Sequence, residues 1–408
     1  MSGELQPEGI RTAWNTHRRI PAKEAQRFSP ERARAALAFH RTLPGYAPTR
    51  MVQLSALADA LGLGAVYVKD ESARFGLNAF KGLGGSYAIG RILSGRLGQK
   101  DACLSYPQLK AALDGGGQRL TFVTATDGNH GRGMAWAARQ FGQEAVVYLP
   151  HGSTAERVEN IRKLGARALV TDMGYDDTVR FARRQAEENG WILVQDTAFA
   201  GYEEVPLWIM EGYTTLALEA LEQLGKPPTH LILQAGVGSM AGAVAGFFAA
   251  ACGEACPRII VVEPNGADCF YRTAAADDGK LHAAKEPLQS IMAGLCCGEV
   301  CPPAWAVLSE TAEAFFAVPD FVAAQGMRVL AAPLPGDPPV ISGESGAVGL
   351  GLVTEMMRRE DLRELRVRLG LDGSARVLCI STEGATDGEN YRRIVWDGAY
   401  GREQAADG

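Results

Sequence analysis

Three segments set reactive side chains among glycines. The first is Asn78-Ala79-Phe80-Lys81-Gly82-Leu83-Gly84-Gly85-Ser86-Tyr87, preceded by Lys69-Asp70-Glu71. Apolar Phe80 and Leu83 flank the lysine. A lysine in an apolar site has a lowered pKa and becomes a nucleophilic amine suited to a Schiff base. An exposed lysine at a helix start would show the same spacing. The second segment is Thr124-Ala125-Thr126-Asp127-Gly128-Asn129-His130-Gly131-Arg132-Gly133-Met134-Ala135. It crowds polar groups where a strand gives way to a helix, the place where open α/β sheets bind ligands. Helix capping by Thr126 or Asp127 would use the same residues. The third is Ala235-Gly236-Val237-Gly238-Ser239-Met240-Ala241-Gly242. A strand, a glycine turn and a helix start form an anion cradle, because backbone N–H groups and the positive helix end converge there. This segment also fits a G-x-G-x-x-A dinucleotide fingerprint, with Glu263 at the end of the next strand as the ribose-binding acid. Its position in the middle of the chain, after five candidate strands, weighs against that reading.

These segments need a framework of strands and helices. Short apolar, β-branched runs occur at Ala65–Val68, Leu120–Ala125, Ala145–Leu149, Ala168–Thr171, Ile192–Gln195, His230–Gln234, Arg258–Glu263, Ala314–Val318 and Arg376–Ser381. Helical patterns fall between most of them, as at Thr154–Leu164, Asp177–Asn189 and Pro206–Leu224. The alternation predicts an α/β architecture with largely parallel sheets. Nine strands are many for one sheet, so two sheets in two domains are expected.

Composition narrows the function. Lys and Arg total 41 against 47 Asp and Glu, a net charge of -6 with no basic footprint for nucleic acid. Glycine is the extreme, at 48 of 408 residues, above the average of about 7%. The uncharged run Leu231–Gly253 is broken by Gln234, Gly236, Gly238 and Ser239, and reads as a buried βα unit rather than a membrane span. Met1–His17 lacks the apolar stretch of a secretory signal, so a cytoplasmic protein is expected. The eight cysteines show no zinc-ligand spacing, and no metal is expected. They read as reduced structural thiols, with a Cys269–Cys297 pair left open.

Together the three glycine segments resemble the β-family, or fold type II, of pyridoxal-phosphate enzymes, and the resemblance covers nearly the whole chain, including His151–Ala166. It implies two open, mostly parallel α/β domains with the cofactor in the cleft between them. The larger would comprise residues 1–85 and 201–408, and the smaller inserted one residues 86–200. By the same resemblance Lys81 carries pyridoxal 5'-phosphate, Asn129 bonds the pyridine hydroxyl, and Gly236, Val237, Gly238, Ser239 and Met240 hold the phosphate. Strand Arg376–Ser381 leads into Thr382, which matches the hydroxyl residue beside the pyridine nitrogen. A hydroxyl does not force that nitrogen to stay protonated, so the ring suits β-elimination better than transamination. Family members are usually homodimers.

Two carboxylates depart from the common dehydratase form. Asp127 stands where dehydratases carry a small residue, and Asp196 follows a strand in Val194-Gln195-Asp196-Thr197. A carboxylate beside an amino acid's own carboxylate is unfavourable unless it accepts the α-proton or pairs with a cationic substrate side chain. With the strings around Lys81, Asn129, Asp196, Cys297 and Thr382, this closely resembles the 2,3-diaminopropionate ammonia-lyase branch of the family. The resemblance makes Asp127 the base for the D-substrate and Asp196 the base for the L-substrate. Thr126, Tyr175 and Ser345 are candidate substrate contacts. His130 is read as packing rather than catalytic. The implied partner is a small amino-acid substrate. The competing readings are a serine or threonine dehydratase or other β-eliminase, a cofactor-retaining amino-acid sensor, and the NAD oxidoreductase suggested by Gly236.

Overall fold

The computed structural model describes residues 9–402 apart from 117, 118, 127 and 286. Among the described residues eleven strands form two sheets. They are β1 (Arg11–Trp14), β2 (Arg50–Gln53), β3 (Ala65–Asp70), β4 (Thr121–Ala125), β5 (Glu144–Leu149), β6 (Arg167–Val170), β7 (Ile192–Leu193), β8 (His230–Gln234), β9 (Arg258–Pro264), β10 (Ala312–Val318) and β11 (Arg376–Ser381). The seven-stranded sheet has the order β1-β10-β9-β8-β11-β3-β2, and the four-stranded sheet the order β6-β5-β4-β7. Every pairing is parallel except those of the two edge strands, β1 with β10 and β2 with β3.

The central strands are apolar because helices cover both faces of a parallel sheet. All five residues of β8 are buried, as are the last six of β9. The nine strands expected from sequence are present, with ends shifted by up to two residues. The two antiparallel edges, β1 and β2, were not expected. Each has only four residues with arginine at its start, two of them buried in β1 and one in β2, so neither carries the continuous buried β-branched signature.

The four-stranded sheet lies wholly between residues 121 and 193. The chain leaves the larger sheet after β3 through helix Gly82–Arg96 and returns through helix Glu204–Leu224. These helices cross at small residues. A Cβ on Gly212 would fall 2.7 Å from the Leu83 carbonyl oxygen, and one on Gly84 would fall 2.5 Å from the Tyr213 ring.

A buried ionic network fixes β3 to the returning helix. Lys69 Nζ donates to Glu219 Oε2 (2.7 Å), the Thr49 carbonyl (2.8 Å) and Gln223 Oε1 (3.0 Å). Arg74 donates to both Glu71 oxygens and both Glu219 oxygens, each at 2.8 Å. Tyr46 and Thr49 hydroxyls add bonds to Glu219 (2.8 Å) and Glu71 (2.5 Å). Two cations and two carboxylates thus cancel with their polar atoms satisfied, which such burial requires. Among the described residues, no helix is long and apolar enough to cross a membrane.

Candidate active site

Lys81 directly precedes helix Gly82–Arg96, on a loop stitched to the end of β11. Phe80 N–H donates to the Thr382 carbonyl (3.0 Å) and Gly384 N–H to the Asn78 carbonyl (3.1 Å). Helix Asn129–Gln140, which follows β4, rests on the lysine's own peptide. A Cβ on Gly133 would fall 2.7 Å from the Lys81 carbonyl carbon and oxygen, so only glycine permits this approach.

The lysine environment differs from the purely apolar one expected. The Lys81 amine lies 5.5 Å from the Phe80 ring centre and 5.8 Å from that of Tyr213. It also donates to Asp196 Oδ2 at 2.5 Å. Asp196 is buried in the loop after β7. Burial pushes its carboxyl up, but His130 and Lys81 outweigh that and hold it at about 2. His130 Nδ1 lies 3.7 Å from Asp196 Oδ2, while its Nε2 bonds the Val194 carbonyl at 2.8 Å. The expected packing role of His130 therefore has an electrostatic component.

The loop after β8 forms the opposite wall. Gly238 has φ of +91°, and a Cβ there would collide with the Phe270 ring at 2.1 Å. The turn feeds helix Ser239–Cys252, whose first-turn N–H groups have no partner within the helix. Ser239 Oγ donates to the Asp196 carbonyl at 2.5 Å, tying this loop to the carboxylate loop. Glu263 does not face a ribose site. It is fully buried and accepts the N–H groups of Phe270 (3.0 Å) and Tyr271 (2.7 Å) at the start of helix Cys269–Ala276. Burial pushes its carboxyl up to about 8. None of the eight cysteines is joined in a disulfide, Cys269 and Cys297 included.

Lys81, Asn129, Tyr175, Asp196, Gly236, Val237, Gly238, Ser239, Met240, Ser345 and Thr382 all line one cavity. Thr126 is not among its lining residues. Its hydroxyl accepts the N–H groups of Gly128 (2.9 Å) and Gly131 (3.1 Å), the capping alternative noted above. Asp127 lies outside the described residues. The cavity also takes in Phe80, Gln234, Ala235, Gly294, Leu295, Cys297 and Glu383, which sequence reasoning did not assign to the site. Glu383 accepts a hydrogen bond from Asn129 Nδ2. Its position directly after Thr382 at a strand's carboxyl end is the signal that could have marked it.

The lining fits a phosphorylated pyridine aldehyde. Gln234 Nε2 donates to the Thr382 hydroxyl at 3.0 Å, which leaves that hydroxyl its proton for a ring nitrogen. Gln234 Oε1 and Ser345 Oγ are buried on the cavity wall without a hydrogen-bond partner among the described residues. A glycine cradle at a helix start, an amine, an amide and a hydroxyl therefore converge on one space. These are the kinds of contact that the phosphate, aldehyde, phenolic oxygen and ring nitrogen of such a group would need.

Residues 42–382 match the family of pyridoxal-phosphate dependent enzymes, and the chain belongs to that family. Its fold is fold type II and its cofactor pyridoxal 5'-phosphate. A diaminopropionate ammonia-lyase from Salmonella typhimurium is 53% identical over 373 residues, covering 89% of this chain and 91% of the relative. The crystal structure of Escherichia coli diaminopropionate ammonia-lyase with D-serine superposes with a TM-score of 0.90 at 47% identity, covering 96% of this chain and 98% of that one. The same enzyme with an aminoacrylate–pyridoxal phosphate azomethine intermediate gives a TM-score of 0.88 at 45% identity, with the same coverage.

Proposed function

We propose that this chain eliminates ammonia from D- and L-2,3-diaminopropionate and, with one water, yields pyruvate and two molecules of ammonia. The observation that carries this reading is the Lys81–Asp196 pair inside a cavity lined also by Asn129, Thr382 and the Gly236–Met240 turn. The relatives named diaminopropionate ammonia-lyase, one of them holding an aminoacrylate, support it.

Lys81 tethers the cofactor through its amine. Asn129, Thr382 and residues Gly236–Met240 hold the remaining polar groups. When bound, the cofactor withdraws electrons from the substrate Cα and so acidifies its proton. Asp196 is ionised at neutral pH and is the acceptor of that proton for the L-substrate. Its partner Lys81 contributes to holding its proton affinity low. Loss of the lysine's charge would make the carboxylate a stronger base. Asp127 serves the D-substrate. The β-amino group leaves protonated, as ammonia. Tyr175 and Ser345 contact the substrate from the cavity wall, and Thr126 supports the turn before Asn129.

Residues 86–200 form the smaller unit and the rest the larger, with the cavity between them. The active species is a cytoplasmic homodimer, as is usual in the family. Light scattering of the purified holoenzyme tests the assembly. The function is tested by assaying pyruvate and ammonia release from D- and L-2,3-diaminopropionate, serine and threonine. Both diaminopropionate isomers should turn over fastest. Turnover of serine alone would reject the reading.

A further inference from the structure

We infer that Glu383 is a positioning residue that sets the orientation of the Asn129 amide toward the cofactor, across the junction of the two sheets. The inference rests on the reading of Asn129 as a cofactor contact. Asn129 begins the helix after β4 in the four-stranded sheet, whereas Glu383 follows β11 in the seven-stranded sheet. Their side chains meet through Asn129 Nδ2 and Glu383 Oε2.

Glu383 is itself firmly held. It is 5% exposed, its carbonyl accepts Gly343 N–H at 3.0 Å, and its backbone bridges Ala79 next to the Lys81 loop. Its second oxygen, Oε1, faces Ser345 N–H at 3.3 Å. An amide can present either its oxygen or its NH₂ to a neighbour. A carboxylate only accepts, so it selects the rotamer with Nδ2 toward Glu383 and leaves the other Nδ2 proton as a donor. The flipped amide would set its oxygen against the carboxylate. A donor is what an anionic phenolic oxygen requires, and the bond to Glu383 is charge-assisted and so stronger than a neutral one. Glu383 thereby presets the donor before the cofactor arrives.

The test is cofactor affinity, measured by titrating the apoenzyme with pyridoxal phosphate, together with the absorbance spectrum of the bound form. Glu383→Met keeps the side-chain length and removes the acceptor. It should weaken cofactor binding about tenfold and shift the absorbance maximum. Glu383→Gln can still accept through its carbonyl and should return affinity to within about threefold of the parent. Asn129→Ala should lose about as much as Glu383→Met, and the double variant should be no worse than Asn129→Ala alone. Losses that multiply in the double variant, or parental affinity and spectrum in Glu383→Met, would overturn the inference. Parental affinity in Asn129→Ala would instead remove the reading of Asn129 on which it stands. Circular dichroism of each apoenzyme checks folding. If Glu383→Met does not fold, Glu383→Ala takes its place with the same expected loss and spectral shift, and a tenfold loss in Glu383→Gln rejects the positioning role.

Discussion

Lys69 and Lys81 lie twelve positions apart and both pair with a buried carboxylate, yet the two pairs are built for different ends. Lys69 is fully buried, and all three of its bonds go to protein acceptors. Its partner Glu219 is also gripped by Arg74 and Tyr46. Lys81 is 18% exposed to a cavity, and its partner Asp196 is shared with His130 rather than enclosed by a second strong cation. A saturated network resists any change of bonding and so fixes β3 and the returning helix. An open pair can exchange partners, which a tethering amine and a proton acceptor must do. The difference shows that buried charge alone does not mark an active site. Incomplete closure facing a cavity does.

Substitutions at the two pairs should therefore separate activity from stability. Lys81→Ala should lower turnover by roughly 10⁴-fold and abolish the bound-cofactor absorbance, with a smaller loss of apoenzyme stability than Glu219→Ala, because Asp196 keeps His130 beside it. Equal losses in both measures would erase the distinction. Glu219→Ala should do the reverse, costing about 3–5 kcal/mol in urea denaturation because it strands Lys69 and half of the Arg74 contacts. Turnover per folded molecule should survive. Asp196→Asn should lose about 10²-fold in turnover of the L-isomer and less for the D-isomer, with Asp127→Asn the converse. Parallel losses for both isomers would show that the two carboxylates do not divide the substrates. Lys69→Met should cost only about 1–3 kcal/mol, since Glu219 keeps Arg74.

The smallest effect is acid sensitivity. Arg74 and Lys69, through hydrogen bonds and charge, hold Glu219 below the usual carboxylate range despite its burial, and Asp196 is held at about 2. A depressed folded-state pKa gives stability that is complete above the unfolded value and is lost as pH falls through the folded one. Stability should fall as pH drops from the ordinary carboxylate range toward about 2. Glu219→Gln should flatten part of that slope in pH-dependent denaturation, and an unchanged slope would count against the network.

Much of this was legible in the chain. The nine expected strands announce themselves as short apolar, β-branched runs, continuous where burial on both faces demands it, as in β8 and β9. The edges β1 and β2 do not, since one side of each meets solvent and arginine suits them. Lys81, Asn129 and Gly236–Met240 were legible because each occupies a short local motif. The Lys81–Asp196 bond spans 115 residues, and only tertiary folding forms it. Sequence could suggest that Asp196 had a task but not which amine stood beside it. The Lys69 network left one trace, Glu219 in the otherwise apolar run Leu216-Ala217-Leu218-Glu219-Ala220. A charge inside such an apolar run implies a buried counterion without saying where it comes from.

The contact of Gly133 with the Lys81 peptide has a mechanical meaning. Backbone meets backbone there with no side chain between, so the surfaces can turn on one another more readily than they can slide. A rocking of the four-stranded sheet against the seven-stranded one would have its bearing at the lysine. Lys81 would then be the point least displaced, while Asn129, a turn away on the same helix, would swing with the moving part. The tether would stay in register with the glycine cradle at every degree of opening, and the rest of the site would be what assembles around it.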